Sequence, residues 1–443
     1  MEFEKCKLRD IADVMISGVD KKSNNDETPV RLCNFVDVYR NWAITSSLHD
    51  TFMQATAKQI EIDRFLLHKG QVAITKDSET RNDIGIATYI ADDFDDVILG
   101  YHCALITPNN ELVDSKYLNA FLHSNYILRY FELNATGSGM RYTLSNDTIL
   151  NMPILLPSIE QQKAIGRVFS NIDKQIETLN SINRNLEQVT RQLYDYWFVQ
   201  FDFPNIEGKP YKSSGGELDY IDLLKREIPK SWELVSLNDF VAQRISGDWG
   251  NETETTQNSI KVSCIRGADL KTLEDLPTRF IADNHINRLL KPLNVIIEMS
   301  GGSPTQSTGR SAIILKETID DNNNAVVCSN FCQAISPLKE FELYFYFTWQ
   351  LLYNNNVFFN FEGKTSGLRN LQLDNVLNIK WYKPNIELIK QFNSIGLNYL
   401  EETARNKRLI RRLTKLRDEL LPMLLNGQVN CDLVYIGITK FHQ

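Results

Sequence analysis

The chain has 443 residues, 42% of them hydrophobic and 23% charged, with a formal net charge of −8. That length supports two or three domains with cores of their own, and no apolar run reaches the roughly 18 residues that a membrane-crossing helix needs. The start, MEFEKCKLRD, carries acids and lacks the apolar stretch of a secretory signal, so a cytoplasmic protein is expected. Seven cysteines form no CxxC pair and six histidines are scattered, a pattern of reduced thiols and isolated imidazoles. Net acidity does not exclude a nucleic-acid partner, because the charge is uneven: Arg405, Lys407, Arg408, Arg411, Arg412, Lys415 and Arg417 crowd one stretch. Such a stripe is either the solvated flank of a helix or a phosphate-facing surface.

In chain order, the first 157 residues read as mixed α and β. Apolar runs at Gln71–Thr75 and Val97–Thr107 predict strands, Ser115–Leu133 predicts a helix, and a polar loop spans Asp20–Glu27. At Ser158 a long helix begins, with Gln161 at capping-box spacing and Glu160 in the first turn. Ile165, Phe169, Ile172, Ile176 and Leu179 step by 4-3-4-3. After one extra three-residue step, a stammer, Ile182, Leu186, Val189, Leu193 and Tyr196 resume the pattern. A seam from Ile165 to Tyr196 is about 46 Å long, more than a helix inside one domain requires, so this helix is read as a spacer ended by Pro204.

The chain then repeats itself. Leu8, Asp10, Ile11 and Ile16-Ser17-Gly18 correspond to Leu237, Asp239, Phe240 and Ile245-Ser246-Gly247; Ser138-Gly139-Met140-Arg141 corresponds to Ser366-Gly367-Leu368-Arg369; Pro157-Ser158-Ile159-Glu160 corresponds to Pro384-Asn385-Ile386-Glu387. The segment Asn205–Leu218 links the copies. In the second copy, strands are predicted at Val295–Glu298, Ser311–Leu315 and Ala325–Ser336, and a helix at Glu340–Tyr353. Loops are predicted at Gly247–Asn258 and Gly301–Gly309.

A second long helix, capped by Asn385, carries a seam of Tyr399, Asn406, Leu413 and Leu420 interleaved with Ile395, Glu402, Leu409, Leu416 and Met423, with Pro422 kinking its last turn and Gly427 capping it. Two apolar seams need partners, and an antiparallel pair in cis would close the chain into a ring with a pseudo-twofold axis. The alternative is parallel dimerisation with another copy.

No catalytic constellation is present in the sequence. GGSPTQSTGRS lacks the GK[ST] ending of a phosphate-binding loop, GxSxG and HExxH are missing, and Asn151-Met152-Pro153 falls short of an aminotransfer signature of the NPPY type. Two classes compete for such a chain: a self-standing DNA methyltransferase or nuclease, which would require a catalytic motif, and a coiled-coil structural protein that binds no DNA.

Three stretches carry a resemblance: LPSIEQQKAI opening the long helix, LYDYWFVQFDFPN with GKPYKSSGG closing it, and IPKSWELVSLNDF opening the second copy. In this order the chain resembles the specificity subunits of type I restriction-modification systems. The resemblance implies an α+β fold with two mixed α/β target-recognition domains in pseudo-twofold repeat, separated by two long antiparallel coiled-coil helices. The expected boundaries are 1–157 for the first domain, 158–203 for the central helix, 204–228 for the linker, 229–384 for the second domain, 385–427 for the distal helix and 428–443 for the tail.

The resemblance further implies a non-catalytic chain that binds double-stranded DNA and docks two methylation subunits and two restriction subunits. S-adenosylmethionine, ATP and Mg would be bound by those partners and not by this chain. Base reading and phosphate contact favour Lys, Arg and aromatic side chains on loops. The candidates are Lys21, Lys22, Arg40, Lys76, Arg81, Arg141 and Tyr142 in the first domain, and Arg244, Trp249, Arg266, Arg310, Lys364 and Arg369 in the second. For Arg141 and Arg369, taken as equivalent positions, a loop-anchoring role is as good a reading as DNA contact.

Overall fold

The computed structural model describes residues 3–425 apart from 140, 304, 324, 366 and 367, and leaves the side chains of 138, 364, 365 and 368 undescribed. The chain forms two compact units, one from Met1–Thr178 with the stretch from Ile410 onward and the other Leu179–Leu409. Their strands follow one plan. In the first unit Glu4–Lys7 pairs with Pro153–Leu156, and in the second Glu233–Ser236 pairs with Lys380–Lys383. The main antiparallel sheet of the first unit orders Ala12–Ile16, Cys103–Pro108, Val72–Thr75 and Ala87–Ile90, with Ala43–Ile44 added at the edge. That of the second orders Val241–Ser246, Cys332–Pro337, Val295–Glu298 and Ser311–Ile313.

A three-stranded sheet sets Thr28–Cys33 between Met53–Ala57 and Val97–Leu99, and in the second unit Asn258–Ile265 lies between Thr278–Ala282 and Val326–Cys328. The last sheet joins a hairpin, Thr136–Ser138 with Arg141–Thr143, to Asp77–Ser78; its counterpart joins Glu362–Thr365 and Leu368–Leu371 to Ser300–Gly301.

Two expected strands are each split between sheets. Val97–Leu99 and Cys103–Pro108 are separated at His102, whose φ of 72° lies in the left-handed region and turns the chain from one sheet to the other. Val326–Cys328 and Cys332–Pro337 likewise join different sheets, without a left-handed residue between them. The expected helix from Ser115 to Leu133 is also two, Ser115–Leu122 and Asn125–Asn134, because the Ser124 hydroxyl caps the second by accepting from the Ile127 amide.

Helix α1, Ile159–Tyr194, starts with the reciprocal cap expected: the Gln161 amide donates to Ser158 Oγ and the Ser158 amide donates to Gln161 Oε1. The stammer does not occur. Asn183 and Thr190 are buried where the pattern needs seam residues, while Ile182, Val189 and Tyr196 are 40%, 45% and 38% exposed. Ile165, Phe169, Ile172, Ile176, Leu179, Asn183, Leu186, Thr190, Leu193 and Trp197 therefore form one unbroken 4-3 seam. Hydrophobicity alone pointed one residue away, because two seam positions are polar.

The winding ends before Pro204. Asp195–Val199 form a π-helical turn closed by the Gln200 amide on the Asp195 carbonyl, and Phe201 at φ 67° breaks it. Trp197, Phe198 and Phe201 thereby enter a core with Trp232, Tyr344, Tyr382 and Phe392.

Helix α2, Ile386–Leu425, is capped by Asn385 Oδ1, which accepts from the Leu388 amide, and runs on through Pro422. Its seam keeps Tyr399, Asn406, Leu413 and Leu420, but the interleaved positions are Gly396, Thr403, Ile410, Arg417 and Leu424. Ile395, Leu409 and Leu416 lie part-buried on the flank; Glu402 pairs with Arg405 at 2.9 Å, and Met423 is exposed. The expected cap at Gly427 lies outside the described residues.

Within the second unit, Asn183 meets Asn406 while Trp197, further along α1, meets Phe392, earlier in α2, so the helices run antiparallel there. Within the first unit Phe169 on α1 and Arg417 on α2 both pack on Trp42, with ring centroids 5.9 Å apart and the guanidinium 4.6 Å above the ring.

Candidate nucleic-acid interface

In the first unit, five loops meet at one end of the sheets. The Tyr101 amide donates to the Val19 carbonyl, tying the loop of Lys21 and Lys22 to the turn at His102. Tyr39, on helix Phe35–Arg40, donates to Asp83 at 3.0 Å, joining Arg40's helix to the loop that carries Arg81. Arg81 in turn lies 5.1 Å above the Tyr142 ring. Asp37, in the first turn of helix Phe35–Arg40, has its carboxyl raised by burial against the pull of its own cap and of Arg40 and Lys21.

At the centre is Asp77. His102 Nδ1 lies 2.6 Å from its Oδ2, Lys76 Nζ 2.9 Å and Arg141 Nη2 3.4 Å. Burial opposes its charge, yet hydrogen bonds from Thr143, His102 and Lys76 hold the carboxyl well below the usual range. A buried anion thus gathers three basic groups, of which Arg141 is the most exposed, at 57%. Of the seven first-unit candidates, Lys76 and Arg141 meet at Asp77 and Arg81 meets Tyr142, while Lys21, Lys22 and Arg40 lie on the loop and helix tied to these segments.

The second unit has the same loops with different chemistry. Arg310 forks onto Glu298, with Nε at 3.0 Å and Nη2 at 2.5 Å, and Gly267 packs against that carboxylate. Arg266 forks onto Asp269 at 2.8 Å through both nitrogens, and Asp269 is held low by those bonds against burial. Arg369 donates to Glu362 at 2.7 Å, and Glu362 also accepts from the Thr308 amide. Trp249 is covered by the Arg279 guanidinium at 4.1 Å and its amide donates to Asn330. Arg244 stands apart: its partners are Asp374 at 2.5 Å and Asn238 at 3.0 Å, at the helix Leu373–Leu377. The side chain of Lys364 lies outside the described ones.

Arg141 and Arg369 are not equivalent. Asp77 pairs with Thr143 and Ser300 with Asn370, so Arg369 occupies the place of Tyr142 and the place of Arg141 falls to Leu368. Successive strand residues face opposite ways, so a one-residue slip puts the two arginines on opposite faces of their hairpins. The shared Ser-Gly motif hid the slip.

The acids Asp77, Asp269, Glu298 and Glu362 and the imidazole of His102 escaped the sequence reading, which sought cations for DNA and set aside lone histidines. The signal was Asp77 directly after Lys76 at the end of an apolar strand.

Residues 1–188 match the family model described as the type I restriction modification DNA specificity domain. The chain is 26% identical over 333 residues to the type I restriction enzyme MjaIX specificity subunit of Methanocaldococcus jannaschii, covering 74% of this chain and 72% of that one. It is 23% identical over 400 residues to the HindI specificity subunit of Haemophilus influenzae, covering 80% and 85%. This chain is similar to the specificity subunits of type I restriction-modification systems, and its residues 1–188 match their DNA specificity domain.

The fold agrees with that of a solved specificity subunit from M. genitalium, at a TM-score of 0.57 and 15% identity over 96% of both chains. In this chain the basic stripe of α2 is engaged within the protein at four places: Arg405 with Glu402, Arg408 with Asp321 at 2.6 Å, Lys415 with Glu419 and Arg417 with Trp42. That favours a structural role for these four. Among the described residues no helix is long and apolar enough to cross a membrane.

Proposed function

We propose that the chain is the DNA-reading subunit of a type I restriction-modification complex, with each unit reading one half of a bipartite site. The observation that carries this reading is the repeat: one strand plan occurs twice, and the loops at one end carry different charged and aromatic side chains in each copy. Two copies with different faces suit two different half-sites on double-stranded DNA, and two long helices suit a spacer of fixed length that is not read. The chain would hold two methylation subunits and two restriction subunits and perform no chemistry itself. S-adenosylmethionine, ATP and Mg would act on those partners.

The test is genome-wide mapping of N6-methyladenine in a host carrying the chain with and without its cognate methylation subunit. A new split motif only when both are present is expected. Methylation by the chain alone would make it an enzyme, and no motif with both would overturn the reading.

A further inference from the structure

Cys103 opposes Thr75, and Cys332 opposes Glu298, in corresponding ladders, so His102 and Phe331 occupy one structural position. One backbone contact there is shared by both units: the Lys76 amide donates to the His102 carbonyl at 2.9 Å, and the Met299 amide donates to the Phe331 carbonyl at 2.8 Å, although His102 is at φ 72° and Phe331 has no left-handed φ. The side chains are opposite in chemistry. His102 is polar and clamped by Asp77, whereas Phe331 is apolar and 59% exposed. The clamp changes with the side chain it serves. The counterpart of Asp77 is Ser300, which gives its hydroxyl to Asn370 at 2.5 Å and makes no anion for a neighbour.

A bare phenyl ring in water on an otherwise polar face has a cost that contact with an apolar surface would remove. A carboxylate that accepts from Nδ1 fixes an imidazole's orientation and leaves Nε2 for an outside partner. Arg141 Nη2 lies 2.7 Å from Nδ1 and 3.5 Å from Nε2, so it meets the ring chiefly on the side that faces Asp77.

We propose that this position determines what each unit reads: His102 hydrogen-bonds a base edge in one half-site, Phe331 packs on a thymine methyl in the other, and Asp77 is a positioning residue for His102. The inference rests on the proposed DNA-reading function. Direct readout in the major groove uses hydrogen bonds to base edges and apolar contact with the thymine methyl, and a mismatched base pair in a site costs about 1–3 kcal/mol, or roughly 5- to 150-fold.

The experiment places His102→Ala, His102→Asn, Asp77→Asn and Phe331→Ala in the full chain, expressed with the cognate methylation subunit, and maps N6-methyladenine. His102→Ala is expected to relax one base position in one half-site by roughly 5- to 150-fold. Phe331→Ala is expected to relax one position in the other half-site, with the spacer unchanged in both. Asp77→Asn is expected to weaken the His102 position alone.

Because His102 sits at φ 72°, where Asn is at ease and Ala is strained, His102→Asn keeps the test alive if the alanine variant fails to fold. It is expected to change the preference at that position without abolishing methylation. An unchanged motif in His102→Asn and Phe331→Ala, or an equal loss at all positions in chains with native melting curves, would overturn the proposal. Absence of any motif with the unaltered chain would instead refute the DNA-reading function beneath it.

Discussion

Asp173 shows how burial on a helix side sets the chemistry of one group. It faces Arg417 from α2 and Glu177 from its own helix, and Glu177 itself accepts from Thr45 at 2.7 Å and Ser47 at 2.5 Å. Burial raises the Asp173 carboxyl to about 7, against the attraction of Arg417 and with the help of Glu177. An unfolded aspartate titrates near pH 4 (about 3.9), so between about pH 4 and 7 the folded chain holds a proton that the unfolded chain has lost. Its contribution to stability therefore falls as pH rises through that window. Asp173→Asn stays neutral, and its melting temperature relative to the native chain should rise between pH 5 and pH 8; a constant difference would place the proton elsewhere. In sequence Asp173 was one more polar residue on a helix, since the groups that face it come from residues up to 244 positions away.

The two long helices were the most legible elements, because their caps are local and their seams periodic. The errors fell at polar seam positions. Asn183 and Asn406 are 6% and 7% exposed and bond to each other at 2.9 Å, so each satisfies an amide that would otherwise be buried unpaired. A buried asparagine pair lowers stability relative to leucine and selects one register. Asn183→Leu or Asn406→Leu alone should lower stability by about 1–3 kcal/mol by orphaning the remaining amide, whereas the double leucine variant should regain much of the loss. Thermal melts of the four chains decide this, and additive effects of the two changes would show that the pair is not coupled. The short elements were less legible: the strand breaks at His102 and before Cys332 depend on which sheet each half joins, which no local pattern encodes.

For the whole molecule, the helices bear on the spacing of the proposed bipartite site. Each heptad adds about 10.5 Å of helix, the length of about three base pairs at 3.4 Å each. Removing one heptad from α1 and the facing heptad from α2 keeps the seam in phase and should shorten the unread spacer in the methylation motif by about three base pairs. An unchanged spacer in a folded, active variant would separate helix length from site geometry. If the helices carry only packing, the deletion should lower stability and leave the motif intact.

The sequence by itself determined that the chain is a duplication, where each long helix starts, and which family it resembles, because repeats, caps and heptads are written in residues close together along the chain. Only the tertiary structure decided that Asn183 and Thr190 belong to the seam, that Arg369 replaces Tyr142 and not Arg141, and that Asp77 holds His102. Those facts depend on register and on partners distant in the chain. A one-residue slip costs nothing in composition, yet it moves every side chain of a strand to the other face.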